Sequence, residues 1–252
     1  MLLCGDMRKG DDMHLIMFDL DGTLLKSNTL DIHCFSGAMI SVMGIENIEC
    51  DWTDYKYVTD EGIVSEIVKR RLNRPATQKE LINIRTKILE LLQSQAQTNH
   101  ENFAPIPGAL DLFCSLKKIR TCGVAIATGC WRESALLKLS TAGFDTENLP
   151  LASSDDSHRR EDIMRIAYTR ALDFWGVTEF ETVTYVGDGV WDLRASNKMG
   201  YHFIGIGFYN NEAQLRQEGA ACIFSDYSDQ TTFFTQMDKI WSCSSNKIPT
   251  QF

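Results

Sequence analysis

Asp19 and Asp21 stand two positions apart in LIMFDLDGTLLKS, residues 15–27, directly after an apolar run. Two carboxylates that close repel, so the pair calls for a cation or a shared proton. A hard divalent ion such as Mg²⁺ takes oxygen ligands of this kind. Alone, the pair serves equally to solvate a turn or cap the next helix. Three other stretches weigh against that plainer use. IATGCW, residues 126–131, offers the Thr128 hydroxyl and, at Gly129, a backbone that can approach an anion closely, although a threonine capping a helix looks the same. YVGDGVWDL, residues 185–193, brings a second acidic pair, Asp188 and Asp192, beside Gly187 and Gly189. HRREDIMRIA, residues 158–167, sets Arg159 and Arg160 at the start of a helix. Cations are unfavourable at that end, so a bound anion or a group of carboxylates is the expected partner.

Each stretch follows or opens a predicted element. Residues 14–18, 122–127, 182–186, 202–206 and 221–224 read as short buried strands, apolar and bounded by turn residues or charge. Residues 132–140 and 162–174 carry apolar side chains at helical spacing. From 105 onward, strands and helices alternate, which predicts an α/β fold with a doubly wound parallel sheet. In such sheets, ligands gather at the carboxyl ends of the strands, where Asp19, Thr128 and Asp188 fall. Residues 28–104 differ. Two apolar stripes, Ile63–Leu72 and Leu81–Leu92, predict helices and no strand, hence a smaller all-helical domain inserted after the first strand. APIPGAL, residues 104–110, punctuates the return. The expected division is a core of 1–27 plus 105–252 and an insert of 28–104.

In this order the four stretches resemble the signature motifs of the haloacid dehalogenase superfamily, in its phosphoglycolate-phosphatase-like branch with a helical cap of the C1 type. DLDGT at 19–23 matches the first motif, ATG with Thr128 the second, Arg160 (or Arg159) the third, and GDGVWD with Asp188 and Asp192 the fourth. The resemblance implies a Rossmann-like core and a Mg²⁺-dependent phosphatase of small phosphorylated metabolites. Asp19 would be the nucleophile that forms an aspartyl-phosphate. Asp21 would be the general acid and base, with a raised pKa. Thr128, Gly129 and Arg160 would hold the phosphate. Mg²⁺ would sit on Asp19, the Asp21 carbonyl and Asp188, with Asp192 behind, orienting Arg160 or a metal-bound water. The same resemblance leaves open a phosphomutase of the β-phosphoglucomutase type and a non-catalytic binder of phospho-ligands. An acid at position 21 argues against halide removal. Phosphonate cleavage usually needs a cap lysine, for which Lys56, Lys69, Lys79 and Lys87 are available, although each reads more simply as a surface residue.

Other features narrow the setting. Loop 49–62, with Trp52, Tyr55 and Tyr57, is a candidate specificity loop or a plain connection; Trp131 and Trp191 read as core packing, and Asp155 and Asp156 as caps of the helix carrying Arg160. The net charge of −9 excludes broad nucleic-acid or anionic-membrane binding. The 252 residues include eight cysteines without a CxxC pair, expected as buried free thiols of a reducing compartment. The N-terminal MLLCGDMRKGDDM reads as neither signal peptide nor anchor, and the C-terminal SCSSNKIPTQF as a frayed tail. No apolar run approaches the ~20 residues that span a bilayer. These readings point to a cytoplasmic monomer or homodimer.

Overall fold

The computed structural model describes residues 13–209 and 211–242. Almost all of the N-terminal stretch and of the C-terminal tail, including Cys4 and Cys243, lie outside these residues, as do the expectations for them. Six parallel strands form one sheet: β1 His14–Phe18, β2 Cys122–Ala127, β3 Leu151–Ala152, β4 Thr182–Gly187, β5 His202–Ile206 and β6 Ile223–Phe224, in the spatial order β3-β2-β1-β4-β5-β6. The order reverses at β1, so the crevice that suits a ligand opens above the carboxyl ends of β1, β2 and β4. Register places Phe18 opposite Ile126 on one side and Val186 on the other, so the loops after all three strands leave the sheet at one level.

The strands are buried on both faces because helices cover both. Ile16 and Phe18 point toward one layer with Leu112, Phe113 and Phe233; Leu15 and Met17 point toward the other with Ile163, Met164 and Ala167. The first layer includes α4 (Ala109–Leu116), α5 (Arg132–Thr141) and α9 (Gln230–Ser242). The second includes α6 (Arg160–Trp175) and α7 (Val190–Met199). A short α8 (Glu212–Gln217) packs beside α7.

Between β1 and α4 the described chain holds α1 (Asn28–Met43), α2 (Asp60–Leu72) and α3 (Gln78–Thr98), with short 3₁₀ turns at Trp52–Asp54 and His100–Phe103. Both apolar stripes fold as helices around a hydrophobic cluster of their own, built on Phe35, Val64, Ile84 and Leu92. Leu72 ends its stripe exposed. A capping box between Thr77 and Glu80 starts α3, satisfying two otherwise unpaired helix N–H groups. Trp131, which follows β2, packs into this helical cluster and not into the sheet layers.

Several expectations need correction. β3, a strand of only two residues, has no counterpart among the predicted strands. Asp155 and Asp156 do not cap α6: Arg159 stands at its N-cap without a side-chain bond. Asp156 instead pairs with Arg170 at 2.6 Å, and Asp155 pairs with Arg85 and accepts from Arg132 N–H. Trp191 lines the central cleft. Among the described cysteines, all six are free; Cys34, Cys122 and Cys130 are buried, but Cys114 is exposed and Cys50 and Cys222 are half-buried. No helix of the described residues is long and apolar enough to cross a membrane.

Candidate active site

Asp19 follows β1 directly, and its N–H donates to Val186 O at 2.9 Å, locking the first motif to β4. Gly22 then turns the chain with φ +77°. No other residue fits there: a Cβ at Gly22 would lie 2.0 Å from Asp188 Oδ2. This close packing of two backbone turns puts Asp188 over Asp19. Carboxylate oxygens of Asp19, Asp188 and Asp192 all come within 4.8 Å of one another.

Arg160 answers them. Its Nη1 donates to Asp19 Oδ1 at 3.2 Å, its Nε lies 3.3 Å from Asp192 Oδ1, and its Nη2 donates to the Val58 carbonyl at 3.1 Å. A cation at a helix start is explained by carboxylates beneath it. Arg159, the alternative, lies at the surface near Asp162. Burial, then the neighbouring Asp192, push Asp19 up to about 7 even against the pull of Arg160. Burial and Asp19 likewise hold Asp188 well above the usual carboxylate range, and burial raises Asp192. Two buried acids and a half-buried one against one guanidinium are short of positive charge. The set is all oxygen, as a hard divalent cation requires, and so fits Mg²⁺.

Asp21 has a different environment. Its carboxylate points away from this trio into a second cluster with Asp31 and Cys130. There the wholly buried Lys138 donates to Asp21 Oδ1 and Oδ2 at 2.8 and 2.7 Å and to Asp31 Oδ1 at 2.7 Å. The Cys130 thiol donates to Asp21 Oδ2 at 2.7 Å, and Ser27 Oγ donates to Oδ1. An ammonium occupies the centre of this second acidic group. Burial opposes the charged form of Asp21, but Lys138, Cys130 and Ser27 together outweigh it and hold the pKa below the ordinary value. The raised pKa expected for Asp21 is therefore not what the geometry produces.

Thr128 is buried at the end of β2, its Oγ1 accepting from Cys130 N–H at 3.2 Å. At Gly129 a Cβ would stand 2.8 Å from Val58 O and 2.9 Å from Arg160 Nη2, so glycine is what lets the loop approach the guanidinium. With Asp19, Asp21, Arg160 and Asp188, these two residues line one cleft of about 90 Å³. The helical insert closes it. Asp60 N–H donates to Gly129 O at 2.8 Å and its Oδ2 accepts from Trp131 N–H at 2.7 Å; Thr59 Oγ1 donates to His158 O at 3.1 Å. From loop 49–62, Trp52, Val58, Thr59 and Asp60 reach the cleft, whereas Tyr55 is buried and Tyr57 packs on His158.

Asp31, Asp60, Asn28 and Lys138 escaped the sequence reading. Asp31 and Asp60 lie in the first turns of α1 and α2, where acids are ordinary. Lys138 has one polar side chain's place in the helix of LLKLST. None of Lys56, Lys69, Lys79 and Lys87 lines the cleft.

Among solved structures, a hydrolase from Pseudomonas syringae is similar at 18% identity with a TM-score of 0.68, over 90% of this chain and 99% of that one. A putative beta-phosphoglucomutase from Bacteroides vulgatus is similar at 17% and 0.65, over 95% and 93%. A mutant CbbY from Rhodobacter sphaeroides in complex with Xylulose-(1,5)bisphosphate is similar at 19% and 0.67, over 86% and 96%. These likenesses establish a shared fold. A search of curated proteins finds no match. The sequence profile of the Haloacid dehalogenase-like hydrolases matches residues 16–206, from within β1 to the end of β5 and across the cleft residues of both lobes. The chain is therefore a haloacid dehalogenase-like hydrolase.

Proposed function

We propose that this hydrolase is a Mg²⁺-dependent phosphatase of a small phosphomonoester, working through an aspartyl-phosphate on Asp19, with residues 28–104 as its cap domain. The observation that carries the reading is the convergence of Asp19, Asp188, Asp192 and Arg160 at the carboxyl end of β1, beside the Thr128–Gly129 turn. Asp19 and Asp188, with the Asp21 carbonyl, would hold the ion. Bound there, Mg²⁺ supplies the positive charge that lets a carboxylate approach a phosphate dianion.

Asp19 forms a bond to phosphorus as the ester P–O bond breaks, and the departing oxygen takes up one proton. Water then attacks phosphorus, restores Asp19 and releases inorganic phosphate, so one water is consumed overall. Arg160 is already committed to Asp19 and fixes its orientation while adding permanent charge beside the phosphoryl oxygens. Thr128 Oγ1 and the Gly129 backbone position the phosphoryl group. Asp21, charged and surrounded by donors, is in the form that accepts the proton of the attacking water. To donate to the leaving oxygen it must first take up a proton and loosen its hold on Lys138. Asp192 keeps Arg160 in place from below.

Hydrolysis of p-nitrophenyl phosphate tests the reading. Turnover should require Mg²⁺ and fall to background in Asp19→Asn. Unchanged turnover in that variant would refute the role of Asp19. The mutase alternative gains no support from the cleft: among the described residues its lining contains no cation besides Arg160 to hold a second phosphate.

A further inference from the structure

The far side of the cleft, away from Asp19, has its own chemistry. Six carboxyl groups surround the cleft: Asp19, Asp21, Asp31, Asp60, Asp188 and Asp192, the last beneath it. Among the described residues, two cations answer them. Arg160 is engaged by Asp19 and Asp192, and Lys138 is wholly buried and shared between Asp21 and Asp31. The carboxyl groups outnumber the cations three to one, and burial raises Asp31 and Asp60 as it raises the trio around Asp19.

Two of these acids present open oxygens. Lys138 occupies Asp31 Oδ1, and among the described residues no donor reaches Oδ2. Asp60 is only 8% exposed, yet Trp131 N–H takes just its Oδ2, and Oδ1 has no partner among the described residues. Burial, then the neighbouring Asp31, hold Asp60 well above the usual carboxylate range. Phe35 and Trp52 wall the same region, with ring centroids 5.7 Å apart and edge to face. Carboxylates beside aromatic rings form a site for an ammonium, which gains from both the charge and the ring quadrupole. An anionic leaving group would meet these open carboxyl oxygens and, among the described lining residues, no cation besides Arg160. At about 90 Å³ the cleft is far below the ~300–1,000 Å³ of drug-sized sites, so the group is short.

We infer that the leaving group of the phosphomonoester carries an ammonium, seated between Asp31 and Asp60 against Phe35 and Trp52: the substrate is a short amino-alcohol phosphate. The inference rests on the phosphatase reading above. It separates this chain from a hydrolase of bisphosphates or phospho-acids on the same fold.

The test compares kcat/KM of the full chain in Mg²⁺ for aminoethyl phosphate, hydroxyethyl phosphate, phosphoglycolate and p-nitrophenyl phosphate. Aminoethyl phosphate should exceed hydroxyethyl phosphate by about tenfold or more, with phosphoglycolate the poorest. Asp31→Asn and Asp60→Asn should each bring the amine-to-hydroxyl ratio toward one. Turnover of p-nitrophenyl phosphate with an amine-to-hydroxyl ratio of one or less, or with phosphoglycolate preferred, overturns the inference and leaves the phosphatase reading standing. No turnover of any ester overturns the reading itself. An amine preference unaltered in both folded variants removes Asp31 and Asp60 from the assignment. Should neither variant fold, the wild-type ratio still decides.

Discussion

The Lys138 ammonium, with no solvent exposure, sits 2.7 Å from Asp21 Oδ2 and 2.7 Å from Asp31 Oδ1. One cation thus ties the loop after β1 to the first turn of α1 and to the middle of α5. Breaking a buried pair from one side leaves an uncompensated charge, at a cost of about 3–5 kcal/mol. Lys138→Met should therefore lower the unfolding free energy measured in urea by that order. A change within the ~0.5 kcal/mol of an ordinary surface substitution would show that the pair contributes nothing to stability.

The acidic trio predicts how stability depends on pH without metal. Asp19 has a folded value of about 7, above its ordinary 3.8, and Asp188 and Asp192 are raised too. A carboxyl with a raised folded value binds its proton more tightly in the folded state. Its contribution is complete below the unfolded value and disappears as pH rises through the folded one. Thermal melts in chelator should accordingly show Tm falling from pH 5 to pH 8. Mg²⁺ should restore it most at pH 8, where protons no longer compete for the oxygens. In Asp19→Asn both the slope and the Mg²⁺ response should shrink; a chelated protein with constant Tm across this range would remove the basis for the metal site.

Much of this arrangement is legible in the sequence, and the reason is local. The run His14–Phe18 is a strand because all its residues are buried, and the next residue, Asp19, must then lie at the sheet's edge. The stripes of α2 and α3 also carry their own signal. β3 does not: two residues are too few for any period to register. Lys138 is hidden for a related reason. It lies eight residues past Cys130 and 117 past Asp21, and only the folded chain shows that its partners are acids. Asp31 and Asp60 read as good helix-start residues, and that local role conceals their second one.

Gly22 provides a stringent test of close packing. With φ +77° and a Cβ 2.0 Å from Asp188 Oδ2, alanine there has both a strained backbone and a displaced carboxylate. Gly22→Ala should be destabilised by about 1–3 kcal/mol and should need markedly more Mg²⁺ for half-maximal turnover. Denaturant unfolding and a metal titration measure the two effects separately.

Arg160 makes three contacts with one planar group: to Asp19, to Asp192 and to the Val58 carbonyl. Lysine retains the charge but cannot span all three. Arg160→Lys should lower kcat/KM for p-nitrophenyl phosphate by about tenfold or more, about 1.4 kcal/mol. Equal activity in the lysine variant would reduce the arginine to a point charge.

The interlock at Asp60 has an architectural corollary. The carboxylate from α2 completes the N–H inventory at the start of α5, while Val58 supplies an acceptor to Arg160 and Trp131 is lodged among the helices of the insert. Neither lobe is self-sufficient at its seam. Excising 28–104 would strip the Thr128–Gly129 turn of its outer wall and strand an indole in water, and a transplanted insert from a cousin would have to bring its own acid to that spot.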